Sequence, residues 1–240
     1  TNILISPVAD EVTMSLSART HGVEDTEIPL VIRPRSSDPS ETFNVTIEDI
    51  PAGATLTYDG QPVTITGGVA TFLDFDPSLP LLLTPPPNSN VDFQLNVTAQ
   101  SVDELDNGGT PIQDVSPPIT LPLDIPVKGV ADEADVIVTP QTYVEADLDG
   151  NSDVVTLGDL VSASSPDTDG SETLTLQVTG LPEGFDLSQG TLLTGPDKTG
   201  SDRVWIIKDT EIGSTQITVP DNFSGQVDFA VVPVTTEDDG

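Results

Sequence analysis

Val91-Asp92-Phe93-Gln94-Leu95-Asn96-Val97-Thr98-Ala99 alternates apolar and polar side chains without a break. Only a strand, with its side-chain period of two, puts Val91, Phe93, Leu95 and Val97 on one face. The same reading extends to Val12, Met14 and Leu16, to Phe43, Val45 and Ile47, and to Ile119, Leu121, Leu123, Ile125 and Val127. The last of these contains Pro122 and Pro126, which cannot donate ladder hydrogen bonds, so it is expected at a sheet edge. Further along, Leu174, Leu176 and Val178 alternate, as do Val204 with Ile206 around Trp205, Ile217 with Val219, and Val227, Phe229 and Val231. No stretch carries a 3.6-residue period, apart from a short helical turn expected near residues 157–161. The 22 prolines and 19 glycines punctuate short apolar runs. Together these features predict an all-β protein.

Composition narrows the chemistry. Seven Lys+Arg against 40 Asp+Glu give a net charge of −33 over 240 residues. Nucleic-acid binding is excluded, because phosphate contacts need clustered Lys and Arg, and docking on anionic lipid is disfavoured. There is no cysteine and one histidine, His21, so disulfides, thiolate chemistry and Cys- or His-based metal sites are ruled out. No apolar run approaches the roughly 18 residues of a membrane span, so no membrane insertion is expected. The opening TNILISPVADE shows no basic n-region or cleavable apolar stretch. The acid excess is not a disorder signature, since 35% of residues are hydrophobic and spread along the chain.

The sequence repeats itself. Val8-Ala9-Asp10-Glu11 returns as Val130-Ala131-Asp132-Glu133. Ser37-Asp38-Pro39-Ser40-Glu41-Thr42-Phe43 parallels Thr168-Asp169-Gly170-Ser171-Glu172-Thr173-Leu174. Ile50-Pro51-Ala52-Gly53 parallels Leu181-Pro182-Glu183-Gly184, and Val91-Asp92-Phe93 parallels Val227-Asp228-Phe229. The order is kept between the halves, which predicts two tandem β-sandwich domains of roughly 110–120 residues, the size of an immunoglobulin-like module. The frame is module 1 at 8–129 and module 2 at 130–240. Residues 1–7 stand where the strand closing module 1 stands before the second VADE, so they are read as the closing strand of a preceding module or a linker. Module 2 reaches Gly240 without an equivalent strand. The parent chain could supply it beyond 240, a neighbouring molecule could donate it, or module 2 could close differently.

The carboxylates cluster at Asp10-Glu11, Glu24-Asp25, Asp38/Glu41, Asp103-Glu104/Asp106, Asp132-Glu133/Asp135, Glu145/Asp147/Asp149/Asp153 and Asp167/Asp169/Glu172. In a sandwich these segments fall in loops at the poles. Crowded carboxylates raise each other's pKa unless a cation neutralises them. Oxygen-only ligands in flexible loops suit Ca2+ better than magnesium. The competing explanation is a solvated acidic surface that maintains solubility. Asp169 and Glu172 are expected to share one ion with Asp167 nearby, and Asp38 with Glu41 to do the same in module 1. The stretch 147–153 is not an EF-hand, because its glycine stands fourth rather than sixth and position twelve is Gly158.

VADE, Gly22-Val23-Glu24-Asp25-Thr26-Glu27-Ile28-Pro29-Leu30, SDPSE and IPAGATL, with Pro166-Asp167-Thr168-Asp169-Gly170-Ser171-Glu172 and LPEGFDL, resemble the repeated modules of very large bacterial RTX adhesins. The resemblance covers essentially the whole chain. It implies Ig-like or cadherin-like sandwiches strung in tandem outside a Gram-negative cell, with calcium bound within and between modules and stiffening the rod. It also implies that the partners are neighbouring modules of the same long chain, projecting a distal binding domain whose ligand is unknown. The alternative within the same adhesin is a calcium-dependent peptide- or glycan-binding module. Pro39 stands where the family often has Gly, Ser36 where it has a second Asp, and Glu145 and Asp153 stand apart rather than as a Glu-Asp pair. The glycine-rich RTX nonapeptide is absent from these 240 residues.

The remaining reactive-looking residues take plain readings. His21 is a loop histidine and Trp205 a core or rim residue. Asp-Thr-Asp-Gly at 167–170 is not an aspartic-protease Asp-Thr-Gly, and with 40 carboxylates available a glycosidase-like pair carries no weight. Sequons at Asn44, Asn96 and Asn222 are expected by chance. No nucleophile–base arrangement points to an enzyme.

Overall fold

A computed structural model describes residues 3–18, 22–106, 110–145, 155–193 and 202–238. It divides into two compact units, Thr1–Val130 and Ala131–Gly240, each built from antiparallel sheets around its own apolar core.

The strands of the first unit are β1 (Thr13–Ala18), β2 (Gly22–Val23), β3 (Ile28–Arg35), β4 (Thr42–Glu48), β5 (Thr55–Tyr58), β6 (Gln61–Pro62), β7 (Ala70–Phe72), β8 (Leu81–Thr84), β9 (Phe93–Leu105), β10 (Ile112–Val115), β11 (Ile119–Ile125) and β12 (Val127–Lys128). One sheet runs β1-β3-β8-β5-β6. The other runs β10-β9-β4-β7, with β11 also on β9. Every second residue of β3, β4, β8 and β9 turns inward, so Ile28, Leu30 and Ile32 from one sheet and Val45, Ile47, Leu95 and Val97 from the other share one core. That shared core makes the unit a sandwich. Among the described strands β11 pairs only with β9, and it packs against β1, joining the two sheets at the edge. Pro122 is exposed there, opposite Asn96, as its missing N–H requires. The strand at 93–105 begins at Phe93. Val91 lies outside it and is exposed.

The second unit comprises β13 (Asp135–Val138), β14 (Val155–Thr156), α1 (Leu157–Leu160), β15 (Val161–Ser164), β16 (Glu172–Thr179), β17 (Asp186–Leu187), β18 (Thr191–Leu193), β19 (Val204–Lys208), α2 (Asp209–Ile212), β20 (Gln216–Thr218) and β21 (Ala230–Glu237). Its sheets repeat the plan of the first: β13-β15 and β14-β20-β17 on one side, β18-β19-β16-β21 on the other. The short helical turn expected at 157–161 is α1. It interrupts what is the unbroken β3 in the first unit, since β14 pairs with β20 as β3 pairs with β8, and β15 pairs with β13 as β3 pairs with β1.

Two details differ from the expected pattern. In β19 the inward residues are Trp205 and Ile207, while Val204 and Ile206 face outward. A run apolar at every position leaves the parity to the neighbouring strand, and Trp205 stands opposite the inward Val178. Second, Val178 pairs with Val231 as Ile47 pairs with Val97. Val227 and Phe229 therefore take the places of Phe93 and Leu95, and the two Val-Asp-Phe strings are out of register by two residues. A two-residue slip keeps each side chain on its face, so the sequence match conceals it.

Candidate functional site

The two VADE segments are held by the same device. In the first unit Glu41, immediately before β4, is buried, and its Oε1 accepts the N–H of Asp10 at 2.6 Å. Its Oε2 accepts the Ser36 hydroxyl, and the Ser36 Oγ accepts the N–H of Asp38 at 3.1 Å. The Asp10 carbonyl accepts the Ser101 hydroxyl from β9. In the second unit Glu172 accepts the N–H of Asp132 and the Ser165 hydroxyl. Ser165 Oγ accepts the N–H of Asp167 at 3.2 Å, and the Asp132 carbonyl accepts the Thr235 hydroxyl from β21 at 2.6 Å. A carboxylate that receives a backbone N–H and a hydroxyl in a buried place is a strong fastening, because charge-assisted hydrogen bonds are roughly twice as strong as neutral ones.

This network corrects the alignment of the two acidic loops. Asp38 corresponds to Asp167, not to Asp169, because each donates its N–H to the serine that serves the glutamate. The second loop is two residues longer between that aspartate and the glutamate. Asp169 falls in the extension, is exposed, and accepts the Ser171 N–H at 3.0 Å. Asp167 accepts the N–H of Asp169 at 3.2 Å and of Gly170 at 2.8 Å. The Asp169 carboxylate accepts an N–H within its own loop, from Ser171, whereas the Glu172 carboxylate accepts from Asp132 and Ser165.

The other residues singled out in the sequence divide by surroundings. Glu24 is buried and accepts the N–H of Val130, just past β12. Asp25, at φ 56°, accepts the N–H of Asn88 at 3.0 Å. Asp103 Oδ2 accepts the N–H of Val8 at 3.0 Å. Glu11 and Glu133 are exposed beside the fastened aspartates. Asp135, exposed, opens β13 opposite Ser164, and Glu145 is exposed. His21, Asp147, Asp149 and Asp153 lie outside the described residues.

Sequence reasoning missed Asp114, whose Oδ2 accepts the N–H of Ala9 at 2.9 Å. It stands directly opposite Asp103 in the β9–β10 pair. Like charges at opposed strand positions repel, and two successive N–H groups from the incoming chain offset that repulsion. Asp92 was also missed as an anchor: its Oδ1 accepts the N–H of Val127 at 2.8 Å, fixing the turn into β12. The signal for both was the strand register, which no motif carries.

The donor set around the first VADE is oxygen only: Asp10, Glu41, Asp103 and Asp114, with the hydroxyls of Ser36 and Ser37. That chemistry fits a hard cation such as calcium. Ser37 donates to Asp10 Oδ2 at 2.6 Å, and a serine hydroxyl can turn to offer its lone pairs instead. Among the described residues no three acidic side chains converge into a ready-made shell. Two exposed Asp-Pro-Ser turns behave alike. Asp38 Oδ1 accepts the N–H and hydroxyl of Ser40 at 2.8 and 2.6 Å, and Asp76 receives those of Ser78 at the same distances. The serine hydroxyls, then the backbone N–H groups, hold both carboxyls below the ordinary aspartate value.

No family model, curated protein or solved structure matches the chain. Among the described residues no helix is long and apolar enough to cross a membrane.

Proposed function

We propose that the chain is a pair of structural modules from a tandem array on the outer surface of a Gram-negative bacterium, of the RTX-adhesin kind. In that reading the modules are Ig-like or cadherin-like spacers that calcium stiffens, and they project a distal binding domain. The observation that supports it is the duplicated fastening: both units tie the same VADE segment to the same glutamate, serine and β9-type hydroxyl. A chain built twice to one plan, with its polar effort spent on tying strands together, suits mechanical work. Calcium would enter beside Asp103 and Asp114, where two carboxylates oppose each other within one strand pair. Asp10, further along the same incoming segment, and Glu41, which accepts the Asp10 N–H, would add carboxylate oxygens. At about 100 times its dissociation constant, an ion at one site would add about 2.7 kcal/mol.

Scanning calorimetry in millimolar calcium and in chelator tests the calcium part. The first-unit transition is expected to rise by several degrees with calcium, and Asp114→Asn is expected to remove most of that rise. Superimposable melts in the two conditions would sink it. Glycan and peptide arrays with and without chelator test the spacer part, for which no bound spot is expected.

A further inference from the structure

In a chain with 40 carboxylates, one sheet has none. β1, β3, β8, β5 and β6, which form the first sheet of the first unit, contain no Asp or Glu. Two arginines, Arg33 and Arg35, stand on its outward face. Both are exposed, and neither takes part in an ion pair among the described residues. Beside Arg33 opens an apolar dish of about 190 Å³. Pro29 and Val31 of β3, Leu82 of β8, and Pro77 and Leu79 of the loop before β8 line it. Along β3 an apolar surface therefore runs into two free cations.

The second unit makes the same face with the opposite chemistry. In the first unit Thr13 lies opposite Arg35 and Ser15 opposite Arg33. The corresponding pairs in the second unit are Asp135 with Ser164 and Ile137 with Ser162. Serines thus replace both arginines, so the shared fold does not require cations there. A carboxylate and an isoleucine replace the hydroxyls of Thr13 and Ser15. Ile137 is 66% exposed and lies outside its unit's core. Its counterpart Ser15 is exposed as well, in a unit where β11 is in place beside β1. The exposure of Ile137 therefore belongs to the outward face of the sheet and not to its edge.

We propose that the outward face of β13 docks on the carboxylate-free face of the first unit in a second copy of the chain. Asp135 meets Arg33, and Ile137 settles over Val31 in the dish. The spacings agree. Residues two apart on a strand stand about 7 Å apart on one face. The step from Asp135 to Ile137 therefore matches the step from Arg33 to Val31 when the two strands run in opposite directions. Charge selects the partner. Two chains of −33 repel each other, and a face without carboxylates opposes their approach least. Two such faces set against each other would oppose arginine to arginine, so the face meets its complement and not itself. Apolar contact in the dish supplies attraction that salt does not screen, and the Arg–Asp contact fixes the register. Donor and acceptor are different surfaces of one molecule, so the contact is heterologous. One dish and one ion pair make a small, transient interface, which calls for high protein concentration and covalent capture.

The chain has no cysteine, so introduced thiols report cleanly. Val31→Cys in one chain and Ile137→Cys in another are mixed under mild oxidation at about 0.15 M salt, where screening acts over about 8 Å. Working in chelator keeps the outcome separate from the calcium reading. A disulfide-linked heterodimer is expected several-fold faster than from Ile137→Cys with Thr71→Cys, an exposed strand position on the other sheet. Sedimentation of the unmodified chain is expected to show mass rising with concentration. Ile137→Ser is expected to abolish that rise and to leave the melting curve unchanged, since serine serves at the same place in the first unit. Arg33→Glu and Asp135→Arg are each expected to abolish the rise alone and to restore it when mixed. Asp135→Arg also lowers the net negative charge, so added repulsion cannot account for its effect. Cross-linking no faster than the control, a chain that stays monomeric at the highest soluble concentration, Ile137→Ser associating as the wild type does, or a charge-swapped mixture that stays apart overturns the proposal.

Discussion

At the scale of single residues, Glu41 and Glu172 carry more than their neighbours. Removing either carboxylate leaves an aspartate N–H and a serine hydroxyl without their acceptor, at a buried position for Glu41 and a half-buried one for Glu172. Such a loss costs about 1–3 kcal/mol. Glu41→Ala is expected to lower the first unit's stability by that amount and Glu172→Ala the second unit's, both measured by calorimetry in chelator. Asp169→Asn is expected to change the second unit by less than about 0.5 kcal/mol, as a surface change does. A larger effect of Asp169 than of Glu172 would contradict the described network. Asp38 and Asp76 contribute to the acid limb of the stability profile. Their folded-state pKa is depressed by hydrogen bonds from Ser40 and Ser78. Each therefore contributes stability that is present above the unfolded value of about 3.9 and is lost as pH falls through the lower folded value. Ser40→Ala with Ser78→Ala is expected to lower stability slightly at pH 7 and to flatten the part of the unfolding profile below about pH 4, because the variant has lost the contribution that the wild type sheds there.

At the scale of elements, strand periodicity was legible where one face is buried and the other wet. β1, β4, β9, β11 and β16 all show it, and the exposed Pro122 marked β11 as an edge strand. What stayed hidden was set by neighbours rather than by the strand itself. β19 is apolar on both faces, so its parity comes from β16, and the loop before Glu172 gained two residues that only the hydrogen bonds to Ser165 reveal. The carboxylate sites were legible as clusters but not as partnerships, because Asp103 and Asp114 meet only through the β9–β10 register. Turn chemistry gives a further test at this scale. Gly190, at φ 93°, leads into β18, and an added Cβ would lie 2.2 Å from Ile207 Cδ1 and 2.7 Å from the Ile206 carbonyl oxygen. Gly60 has a similar backbone, φ 71°, but open space around it. Gly60→Ala is expected to cost about 1–2 kcal/mol from the left-handed backbone alone. Gly190→Ala adds overpacking of about 1–3 kcal/mol to that. Denaturant unfolding of the two variants checks the difference, and equal losses would show that the close approach at Gly190 is relieved without cost.

At the scale of the whole molecule, stability is partitioned. Each apolar core draws its residues from one unit, so heating is expected to give two transitions. The second unit, as these 240 residues give it, should melt first, because Phe229 and Val231 are half-buried where Leu95 and Val97, alongside β11, are fully buried. Apolar burial stabilises by about 25 cal/mol per Å² removed from water, and half-buried side chains contribute less of it. Assignment of the transitions follows from truncating one core at a time. Leu83→Ala should lower only the upper transition and Ile207→Ala only the lower one, each by about 2–5 kcal/mol, the usual cost of emptying a buried site. The net charge of −33 divides as −14 over residues 1–130 and −19 over residues 131–240, so both units repel themselves. Self-repulsion opposes compactness and is screened over about 10 Å at 0.1 M salt, so both transitions should rise between low and moderate salt even in chelator. Calcium should add to that rise only where carboxylates oppose each other within one strand pair, as at Asp103 and Asp114. An equal shift of both transitions by calcium and by a matched ionic strength of sodium chloride would reduce the acidic loops to a solvated, self-repelling surface. A calcium-specific rise confined to the upper transition, that of the first unit, in the wild type, and absent from Asp114→Asn, is the result that separates a bound ion from screening.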